Sequence, residues 1–529
     1  MQKLKEISKI VWNFIYTNGL FISFGIAILL TRAIIGFKYL PFADDWFLYM
    51  GDAPIITPEK IAIRPLAALV DVFVLIPLRN HLWIPSLFLT LLLALTAIML
   101  VKILRKNKVY VGGLFLIILT IFPLTIEGTY WLCAAMRIII SLFLVTSSAW
   151  FIVKWSQSDK VWWLIPSLIC AIASVFFYET FLPVMIIFLM YLVWQTNGKT
   201  LAWQRILAYS IPLIATALFL AWYTNHTNSA EISTRGGFIK GDIIGHTIDV
   251  LFALRSVFVT VGKNIVWQGF ITFMRQGYYV FYIITAIASA ALGYFSALYM
   301  RQRGKGLRGI IVAIILIGAG LSMPFVLELI RMPTRMVYSA FFGIALLIDV
   351  VLGWVLHGKV GRIIYGAIIA CTCFICVSAT SYQVELYNRA SNIDYYVAEQ
   401  LCQKDKIIDP DTLSFLLVPK GMEYMPDSAE YLESIKLSVE NYACVTGAIK
   451  HMKNVREINN ILTVKVDEEM GLHGVHIGVN SNFYILTPEY KVVDAVLTEH
   501  AKGYNVSFTN GNRFGDLMYT IEGYVRLVQ

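Results

Sequence analysis

The chain has 529 residues, 58% of them hydrophobic and 15% charged, where an ordinary soluble domain carries about 25% charge. A mean hydropathy of +0.68 and recurring apolar runs of roughly 20 residues, enough to cross a hydrocarbon core of about 30 Å, exclude a soluble globular enzyme and describe a multi-spanning membrane protein. The net charge of +9 does not call for nucleic acid, because Lys and Arg collect in short loops between apolar runs.

The opening MQKLKEISK is basic and is expected on the cytoplasmic side. The first span, 12–37, is long, lacks a small-residue cleavage site and precedes many others, so it is not expected to be a cleaved signal peptide. A second span, 83–104, runs into RKNK (105–108), a strong inside signal. Residues 38–82 are therefore predicted to form a first outer loop. Further spans are expected near 109–126, between EGTYW (127–131) and KWSQSDK (154–160), and as two short spans over 161–195 that break at FFYETF (176–181). NGKTLAWQR (197–205) is placed inside. A span near 206–223 leads to a long outer segment, 224–275, whose moderately apolar part carries Arg255 and Lys263 and reads as interfacial or re-entrant, with a full span as the minority alternative. Spans at 278–300, 309–329, 336–356 and 363–380 complete the set, with RQRGKGLR (301–308) and HGKVGR (357–362) inside and RMPTR (331–335) outside. The expected fold class is a polytopic α-helical membrane protein of about eleven transmembrane helices, covering residues 1–380, in the plasma membrane with its N-terminus cytoplasmic.

From about residue 381 charged residues and turn formers return, and apolar runs shorten to strand length in LSFLLV, ILTVKV, FYIL and YNVSF. Helical patterns, IDYYVAEQLCQK and SAEYLESIKLSVENYACVTGAIKHM, lie between them. This predicts a C-terminal extracytoplasmic α/β domain, 381–529. The seven cysteines give no framework. CTCFIC (371–376) lies in an apolar run without His or carboxylate beside it, so its thiols read as small buried hydrophobes. Cys402 and Cys444 fall in the polar tail and could pair if that tail lies outside the cytoplasm.

The informative residues are the charges this topology leaves at membrane level. Arg64, Arg137, Arg331 and Arg335 fall at or near the outer ends of spans, and Asp44, Asp45, Asp52, Glu127 and Glu179 fall at the same level. A charge at a helix centre costs about 2.5–3.5 kcal/mol, so such groups are expected to face one another or a polar, outward-facing pocket. Arg64 alone could snorkel to the interface. Arg137 lies about a turn inside its span and needs a partner more. Arg331 and Arg335 flank Pro333 at i,i+4, an arrangement suited to an anion or to a plain turn.

A carboxylate on the outer face can act as general base on an acceptor hydroxyl, and an adjacent carboxylate can raise its pKa or orient the acceptor. Arginines at headgroup level bind phosphate in bidentate fashion. Trp46, Tyr130, Trp131 and Tyr178 are candidate sugar-stacking rings, although aromatics are common at interfaces. Together these features suggest sugar transfer from a polyprenyl-phosphate donor to a glycan or lipid-linked acceptor, without nucleic acid.

In these motifs the chain resembles the GT-C class of integral membrane glycosyltransferases, and more narrowly the bacterial branch of O-antigen and cell-wall glucosyltransferases. The likeness covers the first two-thirds of the chain. FADDWFLY, with Asp44 and Asp45, resembles the acidic motif of the first outer loop. IRPLAAL (63–69) resembles a GRPLA-like run, with Ile63 in place of Gly, and FFYETFL resembles a YQ or YE step in a later outer turn. The resemblance implies a polyprenyl-phosphate sugar donor, inversion at the anomeric carbon and a carboxylate base in the first outer loop, taken as Asp44 with Asp45 in support. Arg64, Arg137, Glu179, Arg331, Arg335, Trp46, Trp131 and Tyr178 are the candidate substrate-binding residues. No cofactor or metal is expected, although Asp44 and Asp45 could hold a divalent ion; His473 and His476 more simply decorate a strand or turn. The rival readings are a lipid or polysaccharide flippase or other transporter, and a polymerase or ligase using lipid-diphosphate donors. The absence of internal repeats and the clustering of charge at the outer edge favour surface chemistry over transport.

Overall fold

The computed structural model describes residues 2–50, 64–158, 160–196, 210, 214, 218, 239, 241–300, 306–327, 332–404, 407, 412–426, 435–454, 461–471, 481–520 and 524–529. The chain forms two compact units: Met1–Lys38, Pro58–Leu69 and Ile84–Val384 make the first, and Tyr39–Thr57, Val70–Trp83 and Glu385–Gln529 make the second.

The first unit is helical. Among the described residues, eight helices are long and apolar enough to cross a membrane: Tyr16–Ala33, Trp83–Lys106, Leu132–Ser158, Ile243–Arg275, Tyr279–Tyr299, Leu307–Val326, Thr334–Val355 and Gly358–Cys402. Large apolar side chains such as Ile283, Ile287, Ile314 and Ile363 point outward from them, which suits hydrocarbon and not water. Between helices the packing depends on small and hydroxyl residues, as lipid-embedded bundles require. A Cβ on Gly293 would lie 2.3 Å from the Gly366 carbonyl oxygen, so only glycine permits that crossing. Ser148 and Ser167 approach to 2.9 Å, and Ser141 Oγ donates to the Ser174 carbonyl at 3.0 Å.

Several expectations change in detail. The stretch 109–126 is not one span. A wholly buried helix, Gly113–Thr120, stops before Pro123, and short turns follow at Pro123–Thr125 and Ile126–Thr129. Proline has no N–H to continue a helix and disfavours helical geometry in the residue before it. The buried Asp349 carboxylate caps Gly113–Thr120 by accepting from the Gly112 and Phe115 amides at 2.7 and 2.8 Å. The two short helices over 161–195 are present, Val161–Phe177 and Glu179–Gln195. The apolar part of 224–275, read as interfacial or re-entrant with a full span as the alternative, lies in one continuous helical run of 33 residues, Ile243–Arg275, long and apolar enough to cross a membrane. Two π turns, Ser256–Val261 and Asn264–Gln268, interrupt its α geometry around Lys263. The span near 206–223 lies outside the described residues apart from isolated positions.

The second unit carries an eight-stranded mixed sheet. Its strands are β1 (Leu413–Val418), β2 (Ile461–Lys465), β3 (Glu469–Gly471), β4 (Ser481–Leu486), β5 (Val492–His500), β6 (Gly503–Phe508), β7 (Arg513–Tyr519) and β8 (Tyr524–Val528), in the order β2-β1-β4-β5-β6-β7-β8-β3. β1 is parallel to β2 and β4, and the remaining pairs are antiparallel. Phe415 and Phe483 stack at 4.6 Å within a core that includes Leu417, Val464, Ile485, Val506 and Leu527. The helix Tyr442–Lys453 lies in the β1–β2 crossover, capped by Asn441, which accepts from the Ala443 amide at 2.8 Å. Among its described residues, the long helical pattern expected over 428–452 is α-helical only from Tyr442; those before it make an isolated bridge at Lys436 and a 3₁₀ turn at Ser438–Glu440. All seven cysteines, Cys402 and Cys444 included, are outside any disulfide.

Candidate functional site

The acidic motif folds as a 3₁₀ helix, Ala43–Tyr49, in the second unit. Ala43 opens it at φ +44°, a left-handed conformation that costs a non-glycine residue roughly 1–2 kcal/mol. Asp44 is exposed, whereas Ala43, Asp45, Trp46, Leu48 and Tyr49 are buried. The two carboxylates therefore occupy different environments. Asp45, with no exposed surface, accepts a 2.5 Å hydrogen bond from the Tyr39 hydroxyl.

The helix is fixed from several sides of its own unit. Trp46 is fully buried and its indole N–H donates to Asp394 at 3.2 Å, so it anchors the turn and presents no face to a ligand. Tyr395 packs against Trp46 at 5.1 Å and His451 against Tyr49 at 4.4 Å. The Tyr49 hydroxyl donates to the Arg79 carbonyl, and Lys450 Nζ donates to the Met50 carbonyl at 3.1 Å. A Cβ on Gly447 would lie 2.3 Å from the Trp46 carbonyl oxygen. Gly447→Ala is therefore expected to displace the acidic turn and destabilise the protein by about 1–3 kcal/mol, read as a lower unfolding midpoint; an unchanged midpoint would count against this close contact.

Behind the turn lies Asp394, on the helix Gly358–Cys402. That helix is about 67 Å long at 1.5 Å per residue, more than twice a bilayer core, and Asp394 falls past its apolar portion. Asp394 accepts from the Trp46 indole and the Ser438 amide. Burial raises its pKa to about 7, against the lowering effect of those two donors. Because the folded pKa exceeds the unfolded one, the folded state holds the extra proton. The stability this group contributes is full below pH ~4 and is lost as pH rises through about 7, on the order of 4 kcal/mol in all. Unfolding midpoints of wild type and Asp394→Asn between pH 4 and 8 test this: the wild-type advantage should shrink steadily, and a constant difference would refute it. Cys444 is held well above the usual thiol range by burial first and then by Asp44, Asp394, Glu440 and Asp45, so it is no nucleophile. Among the described residues no three His, Cys, Asp or Glu side chains converge as a metal site.

The first unit brings other candidates together in two ion pairs. Arg64 meets Glu179 in a two-pronged contact, Nε to Oε2 at 2.7 Å and Nη2 to Oε1 at 2.5 Å, with its guanidinium 4.7 Å over the Tyr178 ring. Glu127, whose side chain is 2% exposed, accepts from Thr334 Oγ1 at 2.7 Å, the Arg335 amide at 3.1 Å and Arg335 Nη1 at 2.7 Å. Arg335 lies 4.8 Å over Trp131. Tyr178 is within electrostatic range of Arg64, Glu179 and Arg335, so the two pairs are neighbours. The rings of Tyr178 and Trp131 thus already carry a guanidinium on one face. Arg137 is half-buried in the second turn of Leu132–Ser158. Arg331, Asp52, Ile63, His473 and His476 lie outside the described residues.

Two residues escaped sequence reasoning. Arg32 is buried, donates to the Thr129 carbonyl at 3.1 Å and lies 4.5 Å over Tyr130. It sits near the end of a run read as a span, where its charge was the only signal. Asp394 falls in the helical pattern IDYYVAEQLCQK, where nothing in the sequence set it apart. No protein-family model and no curated protein matches the chain, so the functional reading stands on these residues.

Proposed function

We propose that the chain is a membrane glycosyltransferase that moves a sugar from a polyprenyl-phosphate donor to a cell-envelope glycan or lipid-linked acceptor on the outer face, with Asp44 as general base. The observation that carries this reading is the division of the acidic pair. Asp44 is the solvent-facing carboxylate of a turn whose neighbours are buried, and Asp45 is enclosed and bonded to Tyr39. An exposed carboxylate on a rigid, strained turn suits proton abstraction from a water-borne hydroxyl. In the reaction Asp44 takes the acceptor proton, the acceptor oxygen bonds to the anomeric carbon, and the bond from that carbon to the phosphate oxygen breaks. The electron pair leaves with the lipid phosphate. Within the first unit, Arg64 and Arg335, held by Glu179 and Glu127, are candidates in their own right for binding a phosphate, since arginine matches its oxygens geometrically. No metal-dependent step is assigned. The N-terminus is placed in the cytoplasm and the sheet-bearing unit outside, in accord with the basic loops.

The test is transfer itself. Purified full-length protein in lipid receives labelled polyprenyl-phosphate sugars and a crude cell-envelope acceptor, and label is followed from lipid to acceptor. Transfer is the expected result. No transfer with any donor would overturn the reading and direct the next assay to lipid translocation.

A further inference from the structure

At the opposite ends of the helices that carry the ion pairs, the first unit contains a cavity of about 740 Å³, within the 300–1,000 Å³ range typical of ligand pockets. The helix Thr334–Val355 starts beside Arg335 and ends at the cavity, as does Glu179–Gln195, which starts beside Arg64. The cavity is lined by Lys108, just after the helix Trp83–Lys106, Arg308, at the start of the helix Leu307–Val326, and His357, just before the helix Gly358–Cys402, with Tyr110, Tyr191 and Trp354 among its rings. No Asp or Glu is among the described residues that line it, and among the described residues neither Lys108 nor Arg308 forms an ion pair.

Lys108 is placed there against its backbone preference. It stands just after the helix Trp83–Lys106 at φ +61°, in the left-handed conformation that glycine usually supplies at a helix C-terminus. Its amide and that of Val109 close the helix onto the Arg105 and Leu104 carbonyls at 3.0 and 2.9 Å. Local folding would favour glycine at this position, and a lysine held there points its charge to use in the cavity. Two of the lining residues are exposed apolar side chains, Leu307 at 65% and Trp354 at 61%. Exposed cations beside exposed apolar side chains, at one end of the helical bundle, match a ligand that is anionic at one end and greasy at the other.

We infer that this cavity binds a phosphate group, contributed by an anionic glycerophospholipid of the adjoining leaflet. Lys108 and Arg308 hold the phosphate oxygens, while the acyl chains lie along Leu307 and Trp354. The site is separate from the proposed transfer chemistry and does not depend on it. A soluble phosphate ester would satisfy the same cations, and the experiment separates the two sources.

The full-length protein would be solubilised in a neutral detergent, and retained phosphatidylglycerol and phosphatidylcholine counted by native mass spectrometry. Glycerol 3-phosphate binding would be measured on protein in phosphatidylcholine nanodiscs. Wild type is expected to prefer phosphatidylglycerol, and Lys108→Gln with Arg308→Gln to lose at least about tenfold of that preference, from the loss of two basic groups near the headgroup. The charge-preserving pair Lys108→Arg with Arg308→Lys should keep it, which separates charge from folding. Saturable binding of glycerol 3-phosphate without lipid preference, lost in the Gln pair, would keep the phosphate site and reassign its source. Equal retention of both lipids with no phosphate binding, or a preference unchanged in the Gln pair, would overturn the inference.

Discussion

Replacing Asp44 with Asn is expected to lower sugar transfer by about a hundredfold to ten-thousandfold, with the unfolding midpoint nearly unchanged. Asp44 is exposed, and its substitution by an isosteric amide leaves the packing of Trp46 and Tyr49 alone. Asp45→Asn should behave differently. Asp45 is enclosed and accepts from Tyr39, so its amide variant disturbs a buried hydrogen bond and costs about 1–3 kcal/mol of stability. Its activity loss should track the stability loss and be shared in part by Tyr39→Phe. The measurement is label transfer at saturating donor, beside thermal unfolding of the same preparations. An Asp44→Asn variant within a few-fold of wild type would remove Asp44 as the base. A large, stability-independent loss in Asp45→Asn would move that role to Asp45.

Long uninterrupted apolar runs between basic loops were legible, because hydrocarbon demands one composition along the whole element. Trp83–Lys106 and Leu132–Ser158 follow from sequence for that reason. The pairing of Arg64 with Glu179 was expected in kind, since charges at membrane depth need partners. The partner of Arg335 was not, because nothing local links Glu127 to a residue 208 positions later. Two further features were hidden by distance along the chain. The segments 39–57 and 70–83 belong with the C-terminal unit, through contacts such as Trp46 to Asp394 and Phe42 to Tyr387 at 4.6 Å. The pattern IDYYVAEQLCQK was recognisable as helix, but its continuity with the preceding span was not: hydropathy falls after 380 while the backbone continues unbroken to Cys402.

The Glu127–Arg335 pair separates a structural role from a functional one. Arg335→Met is expected to destabilise the protein by about 3–5 kcal/mol, because it leaves a carboxylate that is 2% exposed without its cation. Adding Glu127→Gln should return most of that loss. The amide oxygen can still accept from Thr334 and the Arg335-position backbone N–H, and no buried charge remains. Single Glu127→Gln should be intermediate, since the Arg335 side chain it leaves behind is 34% exposed and rests on Trp131. Unfolding midpoints of the four proteins in one detergent give the coupling; additive losses in the double variant would show that the pair is not what matters. The same double variant then tests Arg335 in transfer. A protein that is folded yet requires far more polyprenyl-phosphate sugar for half-maximal rate would support a donor-phosphate role for Arg335. Full activity at ordinary donor levels would confine the pair to holding two turns together.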